Sequence, residues 1–330
     1  MTDKLRVYFT VDTETSMGGA WDNAGPGPLP VTKTIFGQNG SESYGIQLIM
    51  DLLEEQGFRG TFFVEVFCSY LLGFDEVGRV FRCIGERGHD VQLHLHPVYR
   101  FYRDFVQGGP RREKDLMFEF PPEEQRQLIQ EGIGLFRQFC GNTPRAFRAG
   151  CYGASEVTLQ ALRENGVAID SSYNLSFLDR TCGFRRRPLN APVVLEGVHE
   201  FPVTNFNSGA PGSYKPLEIS AVSVTEILAT LRHLREAGCS DAVLIFHSFS
   251  FLKRRGIRFE KARPDWIVIH RFRRLCRELS RMREEVEVCV LGDADLSRMQ
   301  VPQPQTIPSL GWLRPAVRKA VQGFDCIPWV

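Results

Sequence analysis

The stretch GHDVQLHLHP, residues 88–97, has the alternating pattern of a β-strand that ends in two histidines. Apolar side chains occupy positions 91, 93 and 95, and polar side chains occupy positions 92, 94 and 96. Successive side chains of a strand point to opposite faces, so His94 and His96 are expected to share one face. Two neutral imidazoles on one face suit a metal ion such as zinc, although two polar residues that end a strand would give the same pattern.

Length and composition indicate a globular protein without a strongly charged partner. The 330 residues fit one large α/β domain or two small ones, and a hydrophobic fraction of 43% allows a sizeable core. The net charge of +1 favours neither nucleic acid nor an anionic membrane as a partner. Nine cysteines without a CxxC pair indicate reduced thiols. The first residues lack a signal-peptide pattern, and no apolar stretch approaches the roughly 20 residues that span a bilayer, so we predict a soluble, cytoplasmic protein.

Strand-like and helix-like segments alternate along most of the chain. The strand-like segments fall at residues 5–14, 60–67, 89–97, 145–150, 167–172, 242–251 and 285–291. Amphipathic helices are predicted between them, one of them over 75–88 with Asp75 as its N-cap and another opened by Ser223 and Glu226, which are spaced as a capping box. Residues 98–120 form a long charged insertion, typical of lids, binding loops or mobile segments. The alternation predicts an α/β fold with a parallel sheet and crossover helices, closed as a TIM-type barrel that is complete or lacks one unit.

Ionisable residues end six of the predicted strands. They are Asp12 and Glu14, Glu65, His94 and His96, Arg148, Asp170, and His247. One such ending can simply mark where a strand leaves the core. Six of them favour a catalytic rim, because the active site of such barrels lies at the carboxyl ends of the strands.

A second pair of residues two apart, Asp12 and Glu14, would also share one face of its strand. One of these carboxylates can bind a metal together with His94 and His96, which leaves coordination positions open for water and substrate. The other carboxylate can take a proton from that water, whose pKa the metal lowers. The spacing alone does not say which carboxylate has which role.

These residues, in this order, resemble the polysaccharide deacetylase family, carbohydrate esterase family four. TVDTE at 10–14 resembles the family's TFDDG motif, RAGCYG at 148–153 resembles RxPxG, and LIFHSF at 244–249 resembles the last motif. LLEEQGFRGTFFV at 52–64 is similar to the helix and strand between motifs, and the similarity covers roughly residues 5–295. The resemblance implies a distorted (β/α)7-type barrel related to the TIM barrel, and metal-dependent removal of an N- or O-linked acetyl group from a sugar or glycan precursor.

The resemblance also implies roles for individual residues. Asp12 is expected to be the catalytic base and His247 the general acid, with Arg148 keeping the Asp12 carboxylate ionised. The expected ligands of a divalent metal, with zinc as the first candidate, are Glu14, His94 and His96. Further expectations are that Asp170 orients His247, that His89 is structural, and that Tyr152 and Trp21 bind the substrate.

Three departures from the family pattern leave other functions open. The family's second aspartate is Thr13 here, so that Glu14 would replace it, and the residue four places after His94 is Val98, so that His96 would be the second ligand. The proline of the third motif is Gly150. The alternatives are a metal-independent cyclic-amide hydrolase and a non-catalytic member that binds a glycan or a protein partner.

The chain is expected to divide into a catalytic barrel, residues 1–300, and a C-terminal tail, residues 301–330. In the tail, Leu313, Val317 and Val321 fall on one face of a predicted amphipathic helix. This helix would dock either on its own barrel or on a membrane or membrane-bound biosynthetic partner. The oligomeric state does not follow from the sequence.

Overall fold

A nine-stranded, largely parallel sheet is the framework of the chain in the computed structural model, which describes residues 4–22, 27–186, 188–209, 212–300 and 303–310. Its strands are β1 (Leu5–Thr13), β2 (Thr61–Glu65), β3 (Asp90–Leu95), β4 (Ala146–Ala149), β5 (Ile169–Asp170), β6 (Val193–Leu195), β7 (Val198–Glu200), β8 (Asp241–His247) and β9 (Val286–Cys289). The order is β8-β1-β2-β3-β4-β5-β7-β6, and β9 pairs with the first half of β1. Only the β6–β7 pair is antiparallel among these described strands.

Helices connect the strands, as the alternating sequence pattern predicted. They are α1 (Val31–Thr34), α2 (Ile46–Glu54), α3 (Ser69–Leu72), α4 (Phe74–Gly85), α5 (Pro97–Val106), α6 (Pro122–Cys140), α7 (Glu156–Glu164), α8 (Val224–Glu236) and α9 (Trp266–Arg281). The capping box at the start of α8 is confirmed, because Ser223 Oγ accepts from the Glu226 amide at 3.3 Å and the Glu226 carboxylate accepts from the Ser223 amide at 2.9 Å.

The sheet curls, and an irregular segment after β7 bridges its two sides. The Val203 amide donates to the Tyr173 carbonyl at 2.9 Å, next to β5, and the Thr204 amide donates to the Val243 carbonyl of β8 at 3.0 Å. Two further hairpins stand on this framework, Asn205–Asn207 with Tyr214–Pro216, and Leu252–Lys253 with Arg263–Pro264. A third hairpin pairs Gln38–Asn39 with Glu42–Ser43. The predicted α/β class with a curled parallel sheet is confirmed.

The insertion predicted over residues 98–120 was wrong in its first half, which is helix α5. Pro97 occupies the first turn, where a missing amide hydrogen costs nothing. Val98, Tyr99, Phe101 and Tyr102 are buried, at the spacing of one helical face. Charged residues lie next to these buried positions, so the segment as a whole is charged and its apolar face was not predicted.

One predicted helix start was also wrong. Helix α4 begins at Phe74, and Asp75 lies in its first turn instead of at the N-cap. The N-cap position is Gly73, whose φ of +97° belongs to a region that favours glycine. Asp75 still places a negative charge near the positive end of the helix dipole.

The beginning of the tail lies against the barrel. The side-chain amide of Asn190 donates to the Thr306 carbonyl at 2.7 Å, and the Gln305 side-chain oxygen accepts from the Asn190 and Ala191 amides. The amphipathic helix predicted around Leu313 lies outside the described residues. Among the residues that the structure describes, no helix is long and apolar enough to cross a membrane.

Candidate active site

A carboxylate and two imidazoles meet at the carboxyl end of β1 and β3. Glu14 directly follows β1, and its Oε2 atom lies 2.6 Å from Nε2 of His96 and 3.2 Å from Nε2 of His94. The three potential ligand atoms all lie within 4.8 Å of one another. The structure therefore brings together the two histidines of the opening stretch and one of the two carboxylates of the first strand.

Contacts at the Nδ1 atoms fix the orientation of both imidazole rings. Nδ1 of His94 donates to the backbone carbonyl of Arg148 at 2.7 Å, and Nδ1 of His96 lies 2.6 Å from Oδ2 of Asp115. Each Nδ1 thus faces an oxygen, which leaves both Nε2 atoms directed at Glu14. A carbonyl or carboxylate behind a histidine is the arrangement that orients metal-ligating imidazoles.

The pKa values at this cluster reflect mutual stabilisation of opposite charges. Burial alone would raise the pKa of Glu14, but His96, His94 and His247 hold it well below its usual range. Burial alone would lower the pKa of His96, but Asp115 and Glu14 hold it well above its usual range. The surroundings of His96 therefore favour a positive charge between two carboxylates.

A buried ion pair lies beneath this cluster. Nη1 of Arg148 donates to Oδ1 of Asp12 at 2.8 Å, and the Arg148 side chain is completely buried. Its remaining nitrogens donate to the carbonyl and hydroxyl oxygens of Ser171 at 2.9 and 2.8 Å, and Nη1 also donates to the Thr10 hydroxyl at 2.9 Å. The guanidinium thus holds the Asp12 carboxylate in one position.

His247 ends β8 and is in register with Asp12 of β1. Its Nε2 atom lies 3.8 Å from Oε1 of Glu14, and its ring stacks on Phe249 with centroids 5.1 Å apart. Asp170, expected to orient His247, instead accepts from the Ser172 amide and hydroxyl at 3.1 and 2.7 Å. The carboxylate beside His247 is therefore Glu14.

The two residues expected to bind the substrate each pack against other aromatic side chains. Tyr152 is buried against Phe177, with ring centroids 4.9 Å apart, and it follows Cys151 with both residues in the left-handed region at φ 60° and 54°. Trp21 is buried against Tyr102, with ring centroids 5.0 Å apart. A role of Tyr152 and Trp21 in substrate binding stays a prediction.

A cavity of about 260 Å³ opens beside Glu14 and His96. Its wall includes Asp115, Phe249 and Arg254, none of which was a predicted site residue. Asp115 lies in the charged insertion, where no motif distinguishes it from its neighbours. Phe249 and Arg254 follow the motif around His247, so their proximity to that motif was the available signal.

The structure also accounts for the glycine that replaces the proline of the third family motif. A Cβ atom on residue 150 would lie 2.4 Å from Nδ1 and 2.6 Å from Cε1 of His96. A shift of the His96 ring would break its contacts with Asp115 and Glu14, at 2.6 Å each. The absence of a side chain at position 150 therefore leaves the room that the His96 ring occupies.

His89, which is expected to be structural, contacts residues outside this cluster. Its Nδ1 accepts from the Gly60 amide at 3.0 Å, and its Nε2 lies 3.0 Å from Glu54. Burial lowers the pKa of His89. These contacts connect the start of β2 to helix α2.

Comparison with known proteins places this geometry in a known fold. Neither a protein-family model nor a curated protein matches the sequence. A solved structure assigned as a polysaccharide deacetylase of Mycobacterium smegmatis matches 94% of this chain and 96% of its own, with a TM-score of 0.58 at 17% identity. The chain has the polysaccharide deacetylase fold. A structure assigned as a polysaccharide deacetylase of Pseudomonas aeruginosa PAO1 matches 88% of this chain and 89% of its own, with a TM-score of 0.51 at 11% identity.

The same fold extends to an enzyme with another name. Puue allantoinase matches 88% of this chain and 89% of its own, with a TM-score of 0.50 at 14% identity. At these identities the likeness concerns the fold. The distorted barrel related to the TIM barrel, predicted from the sequence, is confirmed.

Proposed function

We propose that this protein is a metal-dependent hydrolase that removes an N- or O-linked acetyl group from a sugar or glycan precursor. The observation that carries the proposal is the convergence of Glu14, His94 and His96. The Nδ1 atoms of both histidines contact protein oxygens, which directs both Nε2 atoms at Glu14. Two solved structures with this fold are assigned as polysaccharide deacetylases, which supports the choice of substrate class.

The donor set fits a divalent metal. Two imidazole nitrogens and one carboxylate oxygen form a three-ligand set of the kind that leaves positions open for water and substrate. Zinc is the first candidate, because imidazole and carboxylate both suit it. When bound there, the metal would polarise the acetyl carbonyl and lower the pKa of water.

Asp12 is the residue that we propose as the base. Its carboxylate is fixed by Arg148 and lies one residue before the end of β1, two positions from Glu14. We propose that water attacks the acetyl carbonyl carbon and gives its proton to the Asp12 carboxylate. The Arg148 guanidinium holds that carboxylate in position for this step.

His247 is the residue that we propose as the acid. It lies in register with Asp12 on the neighbouring strand and 3.8 Å from Glu14. As the carbon–nitrogen or carbon–oxygen bond breaks, His247 would donate a proton to the departing nitrogen or oxygen. The products would be acetate and the free amine or hydroxyl of the sugar.

Metal analysis combined with acetate release tests the proposal. The purified protein should contain a divalent metal and release acetate from a panel of acetylated sugars. Glu14→Gln and His94→Ala should lose metal and activity, whereas Asp12→Asn should keep metal and lose activity by a factor of about 10² or more. His270→Gln, on an exposed position of α9, is the control and should change neither. An Asp12→Asn protein without metal, beside a Glu14→Gln protein that keeps it, would exchange the two roles.

A cyclic-amide hydrolase without metal is the second candidate. The favourable observation is that His96 is held between Glu14 and Asp115 in surroundings that favour a proton on it, in a fold that an allantoinase shares. Chelation separates the two functions, because a metal-independent enzyme would keep its rate after dialysis against a chelator. Glycan binding without release of acetate or of a cyclic-amide product would instead indicate a non-catalytic member.

A further inference from the structure

Exposed apolar side chains concentrate in one segment of the chain. Among the described residues, the exposed large apolar side chains are Phe74, Val106, Val194, Ile257, Trp266 and Ile267. The last three lie within eleven positions and are 64%, 55% and 45% exposed. We call the exposed residues of 254–267 the hairpin patch. An isolated exposed apolar residue is ordinary on a protein surface, but a group of them marks a contact surface.

The hairpin patch lies on the active-site side of the barrel. The hairpin of Leu252–Lys253 with Arg263–Pro264 follows the carboxyl end of β8, and Trp266 starts α9 directly after it. Arg254 lines the same cavity as Glu14. A surface that contacts the hairpin patch would therefore lie next to the cavity opening.

The loop of the hairpin is held in a defined position. Nη1 of Arg258 donates to the Gly18 carbonyl at 2.9 Å, and Nζ of Lys33 donates to the Arg258 carbonyl at 3.1 Å. The rings of Tyr44 and Trp266 meet edge to face, with centroids 5.8 Å apart. These contacts fix the loop while leaving Ile257 exposed at its tip.

Positive charge concentrates in the same patch. Its exposed basic residues are Arg254, Arg255, Lys261 and Arg263. The acidic residues of the segment are Glu260 and Asp265, and Asp265 already accepts from the Val268 amide at 3.2 Å as the N-cap of α9. Four exposed basic residues against two acidic ones give this segment a net positive charge, whereas the whole chain carries a net charge of only +1.

We propose that the hairpin patch docks the protein on the surface of an anionic lipid bilayer. Exposed isoleucine and tryptophan side chains beside arginine and lysine suit the boundary between headgroups and acyl chains, where the apolar groups enter and the cations stay among phosphates. A second copy of the chain is a poorer occupant, because two such patches would repel each other. Nucleic acid is also poorer, because Trp266 is the patch's one exposed ring among the described residues, whereas single-stranded nucleic acid stacks successive bases on several aromatic side chains.

Docking in this orientation would turn the cavity toward the membrane. Together with the proposed hydrolase function, on which this step rests, it indicates an acetylated glycan attached to a lipid as substrate. The docking itself does not depend on catalysis, so vesicle binding and acetate release are measured separately and can fail separately.

Cosedimentation of the full-length protein with vesicles tests the proposal. Binding to vesicles of phosphatidylcholine with phosphatidylglycerol should exceed binding to pure phosphatidylcholine, and it should weaken at high salt. Ile257→Ser with Ile267→Ser should lower the partition coefficient by at least about tenfold. Arg255→Gln and Lys261→Gln should each lower it by about fivefold.

A matched control is Val106→Ser with Val194→Ser, which removes two exposed apolar side chains elsewhere and should leave vesicle binding unchanged. Trp266 gives a direct signal, because its emission should shift to shorter wavelength on vesicle binding and Trp266→Phe should lack that part of the shift. If the double isoleucine variant does not fold, the two single charge variants decide.

Four results would overturn the proposal. The first two are that the full-length protein does not bind anionic vesicles at low salt, and that the valine control loses as much binding as the isoleucine variant. The third is that vesicle binding disappears on deletion of residues 311–330 but survives the patch substitutions. The fourth is that the protein binds a nucleic acid or an acidic protein but does not bind vesicles. Thermal unfolding of each variant verifies that it is folded.

Discussion

Nδ1 of His96 lies 2.4 Å from the position that a Cβ atom on residue 150 would occupy, so the imidazole and any side chain at Gly150 exclude each other. Gly150→Ala should therefore displace the His96 ring from Asp115 and Glu14. We expect at least about tenfold weaker metal binding, the scale of losing a contact that orients a ligand, measured by competition with a chromogenic chelator.

The control for this change is Gly134→Ala on helix α6. Beyond its chain neighbours and the backbone of its own helix, no described atom lies within 4 Å of a Cβ atom built on Gly134, and alanine favours the helix by about 0.5–1 kcal/mol. This variant should bind metal normally and unfold at a slightly higher temperature. Normal metal binding by Gly150→Ala would contradict the placement of His96.

Asp115 should tune the metal affinity through His96. Asp115→Ala removes the acceptor 2.6 Å behind Nδ1, so we expect metal affinity to fall by about 10–100-fold. Asp115→Asn should have a smaller effect, because its amide oxygen still accepts a hydrogen bond. Glu113→Ala, two residues earlier and paired with Arg111 on the surface, should change nothing. Equal affinities for all three variants would separate Asp115 from the site.

Arg148 should matter for stability as well as for the site. Arg148→Met leaves the Asp12 carboxylate buried without its cation, so the free energy of unfolding should fall by about 3–5 kcal/mol. Adding Asp12→Asn removes the uncompensated charge and should restore part of that loss. Urea unfolding of the two single variants and the double variant gives the coupling energy, and strictly additive losses would mean that the ion pair is not the cause.

Glu200 should make stability depend on pH. Burial raises the pKa of Glu200 well above its usual value, and Asp170, its register partner on β5, raises it further. In the unfolded chain the pKa of Glu200 is about 4.3. At a pH above this value and below the raised pKa of the folded protein, Glu200 is protonated in the folded protein but ionised in the unfolded chain. The free energy of unfolding therefore falls as pH rises through this interval. Glu200→Gln abolishes this loss.

The unfolding free energy of Glu200→Gln relative to the original protein should therefore increase with pH, by up to about 1.4 kcal/mol per pH unit. Urea titrations between about pH 5 and about pH 8 measure it. Glu287→Gln on β9 is the exposed control and should show no such trend. A difference that is constant across this range would mean that Glu200 is ionised in the folded protein.

Much of this architecture was predictable from local sequence patterns. Period-two alternation identified the strand that carries His94, and runs rich in apolar, β-branched and aromatic residues identified the strands that carry Asp12 and His247. The rule that such sites lie at the carboxyl ends of parallel strands predicted that these residues share one side of the barrel. The Ser223–Glu226 spacing gave the start of α8, because a capping box is a local interaction.

The contacts that complete the site were not predictable, because they join segments distant in sequence. Asp115 reaches His96 from a stretch without strand or helix pattern. Helix α5 was missed because charged side chains, Arg100, Arg103 and Asp104, lie among its apolar residues. Glu200 beside Asp170 depended on which strand pairs with β5, and no local pattern specifies that pairing.

Strand β1 pairs with two strands that lie far from it in the sequence, which matters during synthesis on the ribosome. Arg6 of β1 donates to Asp241 of β8 at 2.8 Å across a separation of 235 residues, and β9 follows later still. The nascent chain must therefore keep an apolar strand without these partners until a further 235 residues have been translated. Such delayed pairing slows folding and exposes a strand edge to aggregation, so chaperones that bind extended apolar segments should hold β1 until the last strands emerge.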